Sequence, residues 1–186
     1  MRQAATSVPA GGAAAEGPDL DEVFRAHHRQ VFQSAMRITG NASDAEDVLQ
    51  TVFLRLVRRD GGLGLNESPS SYLHRAAVNA ALDIMRRRRN ARATPLDDVA
   101  AALRDHSARP QDDARLDVEI GERVRAALTD LNPRTAEVFA LRYFEGFDNH
   151  EIATLLGTSK STVAVMLHRA RLRLREAIRE LAGEMP

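Results

Sequence analysis

The chain of 186 residues has no cysteine and no tryptophan, and one lysine stands beside 25 arginines. Without thiols, disulfides and thiolate metal sites are excluded. No apolar run approaches the roughly 18 residues that a membrane span needs. The opening "MRQAATSVPAGGAAAEGP" lacks the hydrophobic centre of a signal peptide and reads as a disordered tail over residues 1–18, so a cytoplasmic protein is expected. There is no glycine-rich phosphate loop and no nucleophile paired with a base. The six histidines are scattered, and the adjacent His27 and His28 point about 100° apart on a helix, too divergent to share a metal. Neither metal nor cofactor is expected, and catalysis of its own is not indicated.

Net charge is also missing: 26 basic residues balance 26 acidic ones. The charges are nonetheless segregated. Tyr72 to Arg92 carries six arginines against Asp83, and Lys160 to Arg179 carries one lysine and five arginines against Glu176. Between them, Asp97 to Glu122 holds eight acids and three arginines. Two basic stretches separated by an acidic one point to a polyanionic partner that the zero mean conceals.

Apolar spacing is helical nearly throughout, and strand-like alternation is absent. A helix is predicted over Leu20–Thr39, with Val23, Phe24, His27, Val31, Ala35 and Ile38 near one face. After Gly40-Asn41, Ser43 and Glu46 have the spacing of a capping box opening a second helix. A glycine-rich loop ends at Pro69, and a third helix starts near Ser70 and runs into Arg86–Arg89. The pattern then weakens through an acidic linker, 93–115, in which Val99–Leu103 could form a short helical turn. A second unit, 116–182, follows. Asn132-Pro133 reads as an N-cap with proline in the first turn. Asp148 to Glu151 is an acid-first capping box, Gly157 suits a left-handed helix end, and Ser159 caps the last helix. The expected architecture is all-α: two small helical domains, 19–92 and 116–182, joined by a flexible linker.

Short helix, glycine-containing turn, then a longer helix with a basic end is the spacing of a helix-turn-helix across Asp148–Arg171. An ordinary helical hairpin has the same spacing. The "RRRR" run at 86–89 spreads four guanidinium groups around one helical turn, where burial would leave like charges without partners. It reads either as a solvated helix end favoured by the dipole or, with His74, Arg75 and Asn79 before it, as a surface for a polyanion. Asp44, Glu46 and Asp47 suit a helix N-terminus and form an acidic, exposed patch for a partner.

Taken together, "SDAEDVLQTVFLRL" (Ser43–Leu56), "SYLHRAAVNAALDIMRRRR" (Ser71–Arg89) and "LTDLNPRTAEVFALRYFEGFDNHEIATLLGTSKSTVAVMLHRARLRL" (Leu128–Leu174) resemble the sigma-70 family. More narrowly, they are similar to its extracytoplasmic-function group, which keeps only domains two and four. The resemblance covers nearly everything from Leu20 to Leu181, in order and spacing.

It implies a helix docking on core RNA polymerase through Asp44, Glu46, Asp47 and Gln50, with Val48, Val52 and Phe53 as core. It implies a minus-ten reader in which Asn79 and Asp83 stand where the family has Asn and Asp, while Arg75, Arg86, Arg87, Arg88 and Arg89 hold phosphates. The loop Gly61–Pro69 is a candidate part of the base pocket, since a base read there has left the stack. Tyr72 stands where the family often has tryptophan. For the duplex minus-thirty-five element it implies Lys160, Ser161, Thr162, Ala164, Val165, His168, Arg169 and Arg171. Here the chain departs from the family, whose usual lysine and arginine are replaced within Ala164-Val165-Met166. Two lost phosphate contacts flatten the salt dependence by about 0.9 in log–log slope each. Alternatively, the three apolar side chains meet thymine methyls.

The implied protein is a sigma factor that recruits core RNA polymerase to promoter DNA, helps melt the minus-ten region and is held in check by an anti-sigma factor. Its acidic linker would thread toward the template channel. Two other readings compete: a duplex-DNA regulator acting without polymerase, and a decoy for an anti-sigma factor.

Overall fold

The computed structural model describes residues 20–58, 68–92 and 112–182. The expected tail, most of the Gly61–Pro69 loop, the Val99–Leu103 turn and the linker as far as residue 111 lie outside the described residues. The described residues form seven helices: α1 (Leu20–Thr39), α2 (Ala42–Val57), α3 (Pro69–Arg92), α4 (Asp112–Asp130), α5 (Pro133–Tyr143), α6 (Asn149–Leu155) and α7 (Lys160–Ala182).

Helix α1 starts with Asp21 and Glu22 and ends near Arg37, charges that complement its dipole. Its stripe of Val23, Val31, Ala35 and Ile38 is buried. Phe24, expected on that face, is 42% exposed and lies edge-on to Phe53. The cap of α2 also differs from expectation. Gly40, at φ 67°, reverses the chain so that Asn41 caps the helix, its side chain accepting the Asp44 amide at 3.0 Å. Ser43 therefore falls inside the first turn, and the Ser43–Glu46 capping box does not form.

In α3, Leu73, Ala77, Val78, Ala80, Ala81 and Leu82 are all buried, which one face of a helix cannot accommodate. The helix is sandwiched, with α1 and α2 on one side and α4 and α5 on the other. Its start is Pro69, with the Ser71 amide donating to Ser68 Oγ at 3.2 Å. Helix α4 begins at Asp112 rather than at Leu116, so part of the expected linker is helical.

Several sequence-level stops recur in the structure. Asn132 caps α5 with Pro133 behind it, and Gly146 takes φ 81° after the helix ends. Asp148 and Glu151 close a reciprocal box on α6, Gly157 takes φ 60°, and Ser159 Oγ receives the Thr162 amide at 3.1 Å. Val163, Leu167, Ala170 and Leu174 bury one stripe of α7 against α4, α5 and α6. Ile178, the last residue of that expected stripe, is 40% exposed. Two all-α units result, α1–α3 and α4–α7, and they pack on one another through α3.

Candidate nucleic-acid interface

The solvent face of α7 is built by subtraction. With Val163, Leu167 and Ala170 turned inward, Lys160, Ser161, Thr162, Ala164, Val165, His168, Arg169 and Arg171 are all exposed, and Met166 is half-buried. Behind them α6 braces the turn, and Asp148 accepts the Glu151 and His150 amides at 2.8 and 2.6 Å. Those bonds hold the Asp148 carboxyl below its ordinary value. The arrangement offers a helix N-terminus, a few cations and an apolar row to a groove.

On α2, Glu46, Asp47 and Gln50 are exposed, but Asp44 is not. At 2% exposure it is ion-paired with Arg88 of α3, which corrects its expected place in an exposed acidic patch. The reason lies in the helical period: Asp44 is one and two turns before Val48 and Val52, so it shares their inward stripe.

The arginine run, expected to have no partners if brought inward, finds them because successive positions diverge by about 100°. Arg88 turns to Asp44 on α2, and Arg89 turns to Asp130 and to Thr129 Oγ1, the latter at 2.7 Å, on α4. Arg86 lies 3.7 Å from Asp83, and Arg87 Nε donates to the Asp83 carbonyl at 3.3 Å.

Further up α3, Arg75 Nε and Asn79 Nδ2 donate to a single oxygen, Glu137 Oε1 of α5, at 3.0 and 2.9 Å. Arg134 donates to the other oxygen at 2.9 Å, and Arg75 also reaches the Leu155 carbonyl at 3.4 Å. Beside this cluster the Glu145 side chain is wholly removed from water. Its Oε2 accepts from Ser34 Oγ at 2.8 Å and Arg37 at 2.9 Å, and His74 Nδ1 lies 2.6 Å away. Burial raises the Glu145 pKa, but the His74, Ser34 and Arg37 bonds outweigh it and leave the group below its ordinary value.

Glu137, Glu145, Ser34, Arg37 and Asp130 were not among the residues singled out from sequence. One signal was available for Glu137, the single acid in Ala136–Leu141, a run buried on every side. Among the described residues there is no His/Asp/Glu cluster that could hold a metal, and no helix is long and apolar enough to cross a membrane.

Comparison with known proteins is consistent along the chain. Residues 23–91 match Sigma-70 region 2, and residues 121–174 match Sigma-70, region 4. The chain is 32% identical over 183 residues to the ECF RNA polymerase sigma factor SigE of Mycolicibacterium smegmatis, covering 94% of this chain and 67% of that one. It is 33% identical over 155 residues to the ECF RNA polymerase sigma factor SigM of Mycobacterium tuberculosis, covering 83% and 74%. The fold is similar to that of the Bartonella quintana sigma factor RpoE, solved with the anti-sigma factor NepR. That likeness has a TM-score of 0.52 at 20% identity and covers 87% of this chain and 97% of the other.

Proposed function

Because the chain belongs to the sigma-70 family, within its ECF group of RNA polymerase sigma factors, we propose a division of labour between its two helical units in promoter recognition. The protein is an initiation subunit: it binds core RNA polymerase, brings it to a two-part promoter and assists melting. Nucleotide chemistry belongs to the polymerase.

Helices α4–α7 act as domain four. The row on α7 enters the major groove of the minus-thirty-five duplex, with Lys160, His168, Arg169 and Arg171 meeting phosphates and base edges. Ala164 and Val165 offer apolar contact suited to thymine methyls. Few cations on this row mean modest affinity with a shallow salt dependence. Helices α1–α3 act as domain two. Glu46, Asp47 and Gln50 form the polymerase-docking edge, and Asp44 positions Arg88 from within. Arg75, Asn79, Asp83 and Arg86–Arg89 serve the minus-ten strand, where unstacking must be offset by backbone and base contacts. An anti-sigma factor is expected to act by covering these faces.

The observation that carries the reading is the α6–turn–α7 geometry, whose buried stripe leaves every proposed minus-thirty-five side chain exposed. Run-off transcription with core RNA polymerase on genomic fragments tests it. Promoter-dependent starts are expected, and their absence on every fragment would sink the reading.

A further inference from the structure

Past Lys160, the first turns of α7 carry none of the side chains that pair with base edges two bonds at a time. From Ser161 to His168 there is no Lys, Arg, Asn, Gln, Asp or Glu, the residues whose geometry matches guanine, adenine or cytosine in the major groove. Ser161 and Thr162 are polar but short, and both hydroxyls lie 2.8 Å from Ser159 Oγ, which also accepts the Thr162 amide. Their polar atoms serve the cap of the helix.

What this face offers instead is apolar. Ser161, Ala164, Val165 and His168 stand three or four positions apart and share one side of the helix. Val165 is 48% exposed, and Ala164 beside it is exposed as well. Met166 does not join them, because it packs against the core. The outward apolar element is therefore a pair, Ala164 and Val165.

An exposed valine alone signifies little, but its setting is specific. Lys160 precedes the pair, Arg169 and Arg171 follow it, and all three are exposed. No acid occurs between Glu151 and Glu176. Cations around an apolar pair suit a polyanion with an apolar group recessed between its charges. On the base edges of a major groove that group is the C5 methyl of thymine.

We propose that α7 reads pyrimidine C5 methyl groups, and that cytosine methylation therefore regulates binding of the minus-thirty-five duplex. The Ala164 and Val165 side chains have no donor or acceptor, so they do not tell the O4 of thymine from the N4 amine of cytosine. A 5-methylcytosine carries its methyl at the same ring position in the same groove, and it satisfies the pair as thymine does. Unmethylated cytosine leaves Val165 without that contact. The surrounding cations fix the helix on the backbone without distinguishing sequence, so discrimination falls on the methyl groups. The inference deepens the assignment of α4–α7 to domain four and rests on it.

The test uses holoenzyme, the full chain with core RNA polymerase, and a promoter fragment that supports run-off. Each thymine of the upstream element is replaced in turn by deoxyuridine, which lacks only the methyl, and binding is followed by fluorescence anisotropy. At one position or more the loss should be about fourfold, the ratio expected for burying one methyl group. At the same position 5-methylcytosine should bind about fourfold tighter than cytosine. In a double variant, Ala164→Ser with Val165→Ser, both changes lie on exposed positions and both ratios should fall to about one.

Equal binding of thymine and deoxyuridine duplexes at every position overturns the proposal. So does 5-methylcytosine that binds no tighter than cytosine. Ratios that survive the double variant overturn it too, since they would assign the preference to DNA shape. Failure of the sigma reading shows differently, as absence of promoter-directed run-off on every unmodified fragment.

Discussion

Arg88 and Asp44 form an ion pair that joins the basic run of α3 to the first turn of α2, with the Asp44 side chain 3% exposed. A residue expected to touch polymerase and a residue expected to touch DNA are thereby held by one another.

Removing the cation should be costly, because a carboxylate that has left water depends on it. Arg88→Ala is expected to destabilise domain two by about 3 kcal/mol, the low end for breaking a buried pair. The exposed Arg87→Ala should stay within about 0.5 kcal/mol. Urea unfolding followed by circular dichroism compares the two, and equal midpoints would show that the pair does not anchor the helix.

Gly40 is constrained twice. At φ 67° a side chain is strained, and a Cβ there would lie 2.6 Å from the Arg125 guanidinium carbon of α4. Gly40→Ala should cost about 1–2 kcal/mol from the backbone alone, and it should additionally push Arg125 off the α1–α2 turn. In an Arg125→Ala background only the backbone part should remain, and Gly40→Asn should be milder than Gly40→Ala. Thermal melts of the unaltered chain, the three single variants and the double variant separate the terms.

The sparse cations on α7 predict how duplex binding responds to salt. Lys160→Ala and Arg169→Ala should each flatten the log–log salt slope by about 0.9 if the residue meets a phosphate. Ala164→Lys, on an exposed position, should tighten binding and steepen the slope by a similar amount. Salt-titrated anisotropy on promoter duplex is the measurement, and an unchanged slope for Ala164→Lys would place that residue away from the backbone.

Acid should weaken the contact between the two helical units. Glu145 has a lowered pKa in the docked chain, so its contribution is complete above its ordinary value of 4.5 and is lost as pH falls through the lowered one. The distance between spin labels at Gln33→Cys on α1 and Thr154→Cys on α6, two exposed sites in a chain without cysteine, should therefore hold constant from neutral pH down to about that value and lengthen below it. Glu145→Gln should already be lengthened at neutral pH. The Asp148 cap follows the same sign, its carboxyl lying below the ordinary value. Asp148→Ala should lower the melting temperature at neutral pH, and the difference should shrink in acid.

Local chemistry makes much of this chain legible in its sequence. Asn132-Pro133, the Asp148–Glu151 box, Gly157 and Ser159 are short-range devices whose partners lie within a few residues, so their spacing suffices to place α5, α6 and the start of α7. The 3.6-residue period likewise marked the inward stripe of α7 as far as Leu174 and, by subtraction, the solvent-exposed row proposed to meet DNA. The same period places Asp44 one turn before Val48 on the inward stripe, whereas its charge and its acidic neighbours suggest the surface.

What sequence could not decide was long-range. Ser43 had cap spacing, but the fold of Gly40 gave the cap to Asn41. Arg88 and Arg89 looked partnerless in the run because their carboxylates, Asp44 and Asp130, lie 44 and 41 residues away along the chain. Above all, the sequence determined two helical units and the kinds of residue each would offer to polymerase and DNA. Only the tertiary structure decided that they face each other across α3. That choice rests on the matching of two all-round apolar helices with Asn79 and Glu137, a relation between surfaces that no local pattern expresses.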